Sequence, residues 1–181
     1  MEELPSDHLP DGVRLLRTPT HRDARGDFTE IFRAEWPGGV HPVQWNCVRT
    51  RKGVLRGMRL HPVHDDWFIL LSGRAAMGLS DIRPGALPGR KAGVVLLEEH
   101  DRTALVIPHG VAHGFLALES SLVAYGASHY FSAEDELGCR WDDPGLGITW
   151  PRRPSLLSPQ DRNGISLTEL LSKLERRAPA G

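Results

Sequence analysis

Residues 53–73 read GVLRGMRLHPVHDDWFILLSG. The stretch parses as a strand to about Leu60, a polar turn through Pro62, and a second, more apolar strand from Trp67. It also gathers Arg56, Arg59, His61, His64, Asp65 and Asp66 into a short span. Side chains alternate faces along a strand, so Arg59 and His61 share one face. Arg56 lies three positions from Arg59 and would point the other way in a regular strand. A bulge at Gly57 would bring both arginines to the same side.

The rest of the chain repeats this texture. Turn signals fall at Pro10-Asp11-Gly12, Arg25-Gly26-Asp27, Pro37-Gly38-Gly39, Pro84-Gly85, Pro88-Gly89, Pro108-His109-Gly110 and Pro144-Gly145. Between them lie short apolar or alternating runs such as VRLLR, FTEIF, PVQWNCV, WFILL, AAMGLSDI, GVVLL, TALVI, GFLAL and SLVAYGASHYF. Many short strands separated by Gly/Pro turns point to an all-β antiparallel sandwich or barrel rather than βαβ units. One helix is expected, at 166–177. Ser166 with Glu169 forms a capping box, leucines follow at helical spacing, and Pro179 stops it. Such a helix packs on the outside of a small barrel. No internal repeat or low-complexity tract is visible.

A chain of 181 residues suits a single domain, here 1–181, with a full hydrophobic core. The net charge of −1, with signs interspersed, offers no basic face for nucleic acid or an anionic membrane. Cys47 and Cys139 are isolated, which excludes a zinc ribbon or a disulfide framework. The N-terminal MEELPSDHLPDG has no apolar signal core, and no run approaches a membrane span. A cytoplasmic protein is the expectation.

A barrel with a small-molecule site carries its chemistry on inward-facing strand residues. Beyond Arg59 and His61, the candidates are His113 in PHGVAHGF, and Tyr125, His129 and Phe131, which share one parity in AYGASHYF. From Arg25 to Pro151 the segments RGDFTE, VQWNCVRTRKGVLRG, SDIRP, IPHGVAHGF, AYGASHYF and WDDPGLGITWP resemble, in order and spacing, the dTDP-4-dehydrorhamnose 3,5-epimerase family. The resemblance implies a cupin-type antiparallel jelly roll, a homodimer, a dTDP-sugar substrate and no cofactor. It implies that Arg25, Glu30, Gln44, Asn46 and Arg56 hold the nucleotide diphosphate and sugar, and that Phe131 stacks on the base. Arginine forks and side-chain amides suit those ligands chemically. Tyr125 matches the tyrosine that protonates the sugar, His113 a supporting polar residue, and Asp161 the carboxylate that orients the catalytic histidine.

Three positions depart from the family's pattern. The general base is the histidine of an RGLH motif, and here the motif reads RGMR, with Arg59 in its place. Arginine stays protonated and cannot abstract a proton α to a ketone. A lysine that steadies the enolate oxygen becomes Asp66, and an aspartate becomes Met77. Three readings follow. In the first, an atypical sugar-nucleotide epimerase or isomerase uses Arg59 electrostatically and draws its base from His61, Tyr125 or a water. In the second, His61, Asp66 and His113 form a two-histidine, one-carboxylate divalent-metal site, as the H-x-H…P-x-G-x-x-H arrangement of metal cupins implies. In the third, the chain lacks the base and is a non-catalytic binding or regulatory paralogue. A structural reading stands beside these, in which Arg59 pairs with Asp65 or Asp66 as an internal ion pair that fills the vacated site.

Overall fold

The structure, a computed structural model, describes residues 1–86 and 91–177. The expected Pro88-Gly89 turn and Pro179 stop lie outside the described residues. The strands are β1 (Glu2–Leu4), β2 (Arg14–Arg17), β3 (Thr20–Asp23), β4 (Gly26–Thr29), β5 (Gln44–Thr50), β6 (Leu55–Leu60), β7 (Asp66–Ser72), β8 (Arg74–Asp81), β9 (Ala92–Glu98), β10 (Thr103–Ile107), β11 (Val111–Ala117), β12 (Ser121–Ala127) and β13 (Leu137–Gly138). Two helices follow, α1 (Pro159–Arg162) and α2 (Leu167–Arg177).

One sheet runs β1-β2-β10-β7-β12-β5 and the other β13-β6-β11-β8-β9. Every ladder between named strands is antiparallel. The two sheets face each other and close an all-β jelly roll of the cupin type. Strand alternation decides what lies between them. On β7, Phe68 and Leu70 point inward to meet Met77 and Leu79 of β8, Phe115 of β11 and Val123 of β12. The alternate residues Trp67 and Ile69 face out, beside Ala104, Val106 and Ala124. The same rule puts Asp66, two before Phe68, on the inner face.

The β6 strand carries the bulge that the two arginines require. Across the ladder His113 faces Arg59, yet Phe115, two residues on, faces Arg56, three residues back. The extra residue sits at Gly57, whose φ is +130° and where a Cβ would stand 2.6 Å from the Gly114 Cα. Only glycine tolerates both the backbone and the contact.

The terminal helix forms where its capping box predicts. The Ser166 hydroxyl accepts from the Glu169 N–H (3.2 Å), and the Glu169 carboxylate accepts from the Ser166 N–H (2.9 Å). Asp143 of the WDDP turn accepts from the Gly145 N–H (3.0 Å) and from the Leu167 N–H (2.9 Å), so one side chain caps its own turn and the helix. Leu167 and Leu170 pack on Met58, Leu60 and Ala112, the outward residues of β6 and β11.

Some short elements differ from the sequence reading. The FTEIF run leaves the strand after Thr29, because Ile31 and Phe32 turn to cover Trp67, whose indole N–H donates to the Ile31 carbonyl (2.9 Å). In SLVAYGASHYF the strand ends at Ala127, where Ser128 ties it to Asp65: its N–H donates to the Asp65 carbonyl (3.0 Å) and its hydroxyl accepts from the Asp65 N–H (2.9 Å). Strands β1, β3 and β13 and helix α1 are additional elements, too short to show a period. Among the described residues no helix is long and apolar enough to cross a membrane.

Candidate active site

Between the two sheets lies a cavity of about 230 Å³. At its exposed end stand Gln44 and Asn46 of β5, Arg56 of β6, and Phe131, which is 65% exposed. The Phe131 N–H donates to the Gln44 side-chain oxygen (2.9 Å), and the Gln44 amide donates to Asn46 (3.2 Å). The Arg56 Nε–H donates to the Thr50 hydroxyl (3.1 Å). The other end holds Tyr125, Arg59, His61, His64, Asp66 and His113, with Met77 and Phe68 as apolar wall. A larger depression, about 770 Å³, lies outside the barrel between α2 and Val63; it holds neither arginine of β6 nor Tyr125.

The buried end is a histidine–carboxylate cluster. The Nε2 atoms of His113, His64 and His61 lie 3.5, 3.7 and 3.8 Å from the oxygens of Asp66. The opposite nitrogens are held from behind. His113 Nδ1 meets the Val111 carbonyl (3.1 Å), His61 Nδ1 the Asp135 carbonyl (3.3 Å), and His64 Nδ1 the Asp135 carboxylate. The His61 and His64 rings stack with centroids 3.9 Å apart. Burial pushes His61 down to about 2, with the neighbouring His113 and His64 adding to it. Burial likewise pushes His113 down to about 4. Asp66 moves the other way, to about 8, through burial and then the charges of Asp65 and Asp135. Tyr125 is raised by burial first and by Asp66 second. A charged group out of water is disfavoured, so His61 and His113 are neutral at physiological pH.

Arg59 does not pair with Asp65 or Asp66, as one reading expected. Its Nη1 lies 2.6 Å from Asp161 Oδ1, and its Nε–H donates to Glu136 (3.2 Å). The Asp161 contact is a close ion pair whose angle is not that of a hydrogen bond. Asp161 therefore anchors Arg59, a permanent cation, at the buried end of the cavity. Asp65 is taken by His109, at 2.8 Å.

Of the expected site residues, Gln44, Asn46, Arg56, Arg59, His61, His113, Tyr125 and Phe131 come together on one cavity, with Asp66 among them. Asp161 sits behind Arg59 rather than on the lining. Arg25 and Glu30 are not part of it. Arg25 is on the β3–β4 hairpin, paired with Asp23 and 90% exposed along its side chain, and Glu30 pairs with Arg33. Sequence reasoning missed His64, Asp135 and Glu136. His64 follows His61 by three across the turn, and that spacing was the available signal. Asp135 and Glu136 reach the site from more than 70 positions away and had none.

Comparison with known proteins places the chain by sequence and by fold. The family model described as dTDP-4-dehydrorhamnose 3,5-epimerase matches residues 9–169. A curated dTDP-4-dehydrorhamnose 3,5-epimerase of Sinorhizobium fredii is 32% identical over 168 residues, covering 87% of this chain and 86% of the relative. Among solved structures, the dTDP-6-deoxy-D-glucose-3,5-epimerase of Legionella pneumophila, in complex with dTDP-4-keto-L-rhamnose, superposes with a TM-score of 0.86 at 28% identity, over 96% of each chain. The 3′-monoepimerase ChmJ of Streptomyces bikiniensis, in complex with dTDP-quinovose, superposes with a TM-score of 0.80 at 25% identity, over 93% of this chain and 89% of that one. Epimerases of this family act without a cofactor or metal. By sequence and by fold, the chain belongs to the dTDP-4-dehydrorhamnose 3,5-epimerase family, whose named members are isomerase-class enzymes.

Proposed function

We propose that the chain binds a dTDP-4-keto-6-deoxyhexose, sugar in the barrel and nucleotide at its mouth, and moves a proton at a carbon next to the ketone. The observation that carries this is the joint placement of Gln44, Asn46, Arg56 and Phe131 at the exposed end with Tyr125 and the histidine cluster at the buried one. Amides and an arginine fork suit ribose and phosphate oxygens, and an exposed phenyl ring suits a pyrimidine face. Arg59, fixed by Asp161 and Glu136, stabilises the enolate oxygen as a permanent cation. Tyr125 returns a proton to the sugar. The proton acceptor is a water held against the neutral nitrogens of His61 and His113, because no arginine can take that role.

The molecule acts as a homodimer on this reading, in the cytoplasm where nucleotide sugars are made. The β3–β4 ribbon pairs with neither main sheet, and an isolated two-stranded ribbon is marginal in water. It carries Arg25 and a Phe28 that is 65% exposed. A second copy docked on the ribbon would cover Phe28 and bring Arg25 toward the partner's nucleotide.

Proton–deuterium exchange followed by NMR, with a dTDP-4-keto-6-deoxyhexose in D₂O, tests the reading. The wild type exchanges at C3 or C5 and inverts that centre. Tyr125→Phe keeps the exchange but loses inversion, because abstraction survives while delivery from the other face does not. Absence of exchange in the wild type, with exchange gained by Arg59→His, would mean an epimerase disarmed at one residue. Absence in both, with no heat of binding for the nucleotide sugar, would overturn the reading.

A further inference from the structure

Of the three imidazoles at the buried end of the cavity, only His64 has its Nδ1 against a carboxylate, that of Asp135. His61 and His113 rest their Nδ1 atoms on backbone carbonyls. We propose that His64, backed by Asp135, is where the proton removed from the sugar carbon comes to rest, passed to its Nε2 by the water held against His61 and His113. The inference rests on the proposed function above and gives its proton a destination.

Asp135 is 9% exposed, and both of its carboxylate oxygens are engaged. Oδ1 accepts from the Val63 N–H (3.0 Å), which fixes the segment carrying His64, and Oδ2 faces His64 Nδ1. An ionised carboxylate only accepts, so the proton of a neutral His64 sits on Nδ1. Its Nε2 is left facing Asp66, 3.7 Å away, among the groups that line the cavity. A carboxylate on one imidazole nitrogen orients the ring and steadies the imidazolium formed when the other nitrogen takes a proton. The Asp135 carbonyl also meets His61 Nδ1 (3.3 Å), so one residue sets both stacked rings.

The other titratable groups around His64 are unsuited to keep the proton. His61, just after β6, and His113 of β11 are pushed down to about 2 and about 4, chiefly by burial, so neither holds a proton at neutral pH. Asp66, at the start of β7, is pushed up to about 8 by burial and then by Asp65 and Asp135, so it already carries its proton. Tyr125 of β12, raised mainly by burial, is a donor rather than an acceptor. Arg59 of β6 is permanently charged, and it occupies both Asp161 and Glu136. His129 lines the same cavity but is exposed, with its Nδ1 on the Ser128 hydroxyl (3.0 Å) rather than on a carboxylate.

The proton balance closes. The C–H bond breaks and its electron pair enters the enolate. The water takes that proton and gives one of its own to His64 Nε2, so water is regenerated and the new bond is N–H. A neutral sugar and a neutral imidazole have become an enolate and an imidazolium, the first matched by Arg59 and the second by Asp135. Tyr125 then delivers its proton to the opposite face of the carbon. Solvent refills Tyr125 as His64 releases its proton, one for one. The pair shares no residue with Arg59 and Asp161, which leaves the arginine to act as a cation alone.

The test is the rate of proton–deuterium exchange across pH on the full chain, with a dTDP-4-keto-6-deoxyhexose, for the wild type, His64→Asn and Asp135→Asn. Calorimetry gives the affinity of each for the same nucleotide sugar. Asparagine at position 64 keeps an N–H for Asp135 and removes the Nε2 acceptor. His64→Asn should slow exchange by about 10²- to 10⁴-fold, the usual worth of a positioned base, with Kd unchanged. Asp135→Asn should slow it less and move the acidic limb of the rate to lower pH, since an imidazolium without its carboxylate is harder to form. A merely structural Asp135 would lower the rate and leave the limb in place. Should one variant fail to fold, the other decides. Exchange at the wild-type rate in His64→Asn, or an unmoved limb in folded Asp135→Asn, overturns the inference while the sugar reading stands. A wild type that neither binds the nucleotide sugar nor exchanges removes the sugar reading, and the role of His64 with it.

Discussion

Arg59 is held from two sides at the buried end of the cavity. The guanidinium pairs with the Asp161 carboxylate and adds Glu136. Removing the lower partner tests how tightly the pair is held. Asp161→Asn should destabilise the fold by on the order of 2 kcal/mol, below the roughly 3–5 of a fully buried pair, because Arg59 keeps 22% of its side chain exposed. Urea unfolding at constant slope would measure it; a change under half a kilocalorie would show that Glu136 alone suffices. Gly57 is the second sensitive residue. A methyl group there meets the Gly114 backbone at 2.6 Å on a left-handed φ, so Gly57→Ala should cost about 1–3 kcal/mol. That corresponds to a Tm fall of several degrees for a chain of this size. Parity arithmetic made the pair Arg59 and His61 legible in advance, and even the bulge. The partners of Arg59 were not legible, since Glu136 and Asp161 meet it only through folding of distant segments.

Elements were legible in proportion to their length and period. β7, β8, β11 and β12 show alternation that names their inner faces, and the helix announces itself through Ser166, Glu169 and its leucines. β1, β3 and β13, at two to four residues, have no period to read and exist because a neighbour offers them a ladder. The helix box makes a prediction at this scale. Ser166→Ala should cost about 1 kcal/mol, the usual value of an N-cap, read in thermal unfolding. The Ser166 N–H and hydroxyl hold Glu169 below its ordinary 4.5. A depressed carboxylate stabilises above its unfolded pKa and loses that contribution as pH falls through the folded value. The gap between wild type and Glu169→Gln should therefore narrow on acidification below that range, and a gap independent of pH would exclude the box as its source. Because α2 rests on Met58 and Leu60, the outer residues of the strand whose inner face bears Arg59 and His61, helix and cavity share one wall.

For the whole molecule, the roomier depression and the chemical one are different places. The outer groove, about 770 Å³, holds neither arginine of β6 nor Tyr125, whereas the small cavity between the sheets collects nearly every candidate residue. The β3–β4 ribbon stands apart from both sheets and carries the two expected ligand residues that the cavity lacks, Arg25 on it and Glu30 just after it. Sedimentation should accordingly find a dimer at micromolar concentration. Phe28→Asp on the ribbon should shift the population toward monomer and weaken nucleotide-sugar binding together. A monomeric wild type with full affinity would leave the ribbon without that role.

The β5 edge has one further consequence. Cys47 is exposed there, beside Trp45 at 41% and Val43 at 50% exposure, while Cys139 is buried in the layer under α2. The native chain therefore offers a maleimide one ready target, on an open strand edge, and a second only when the helix layer comes apart. Counting labelled thiols over time reads two events from the same flask: assembly along that edge slows the first, and unpacking of the terminal helix releases the second.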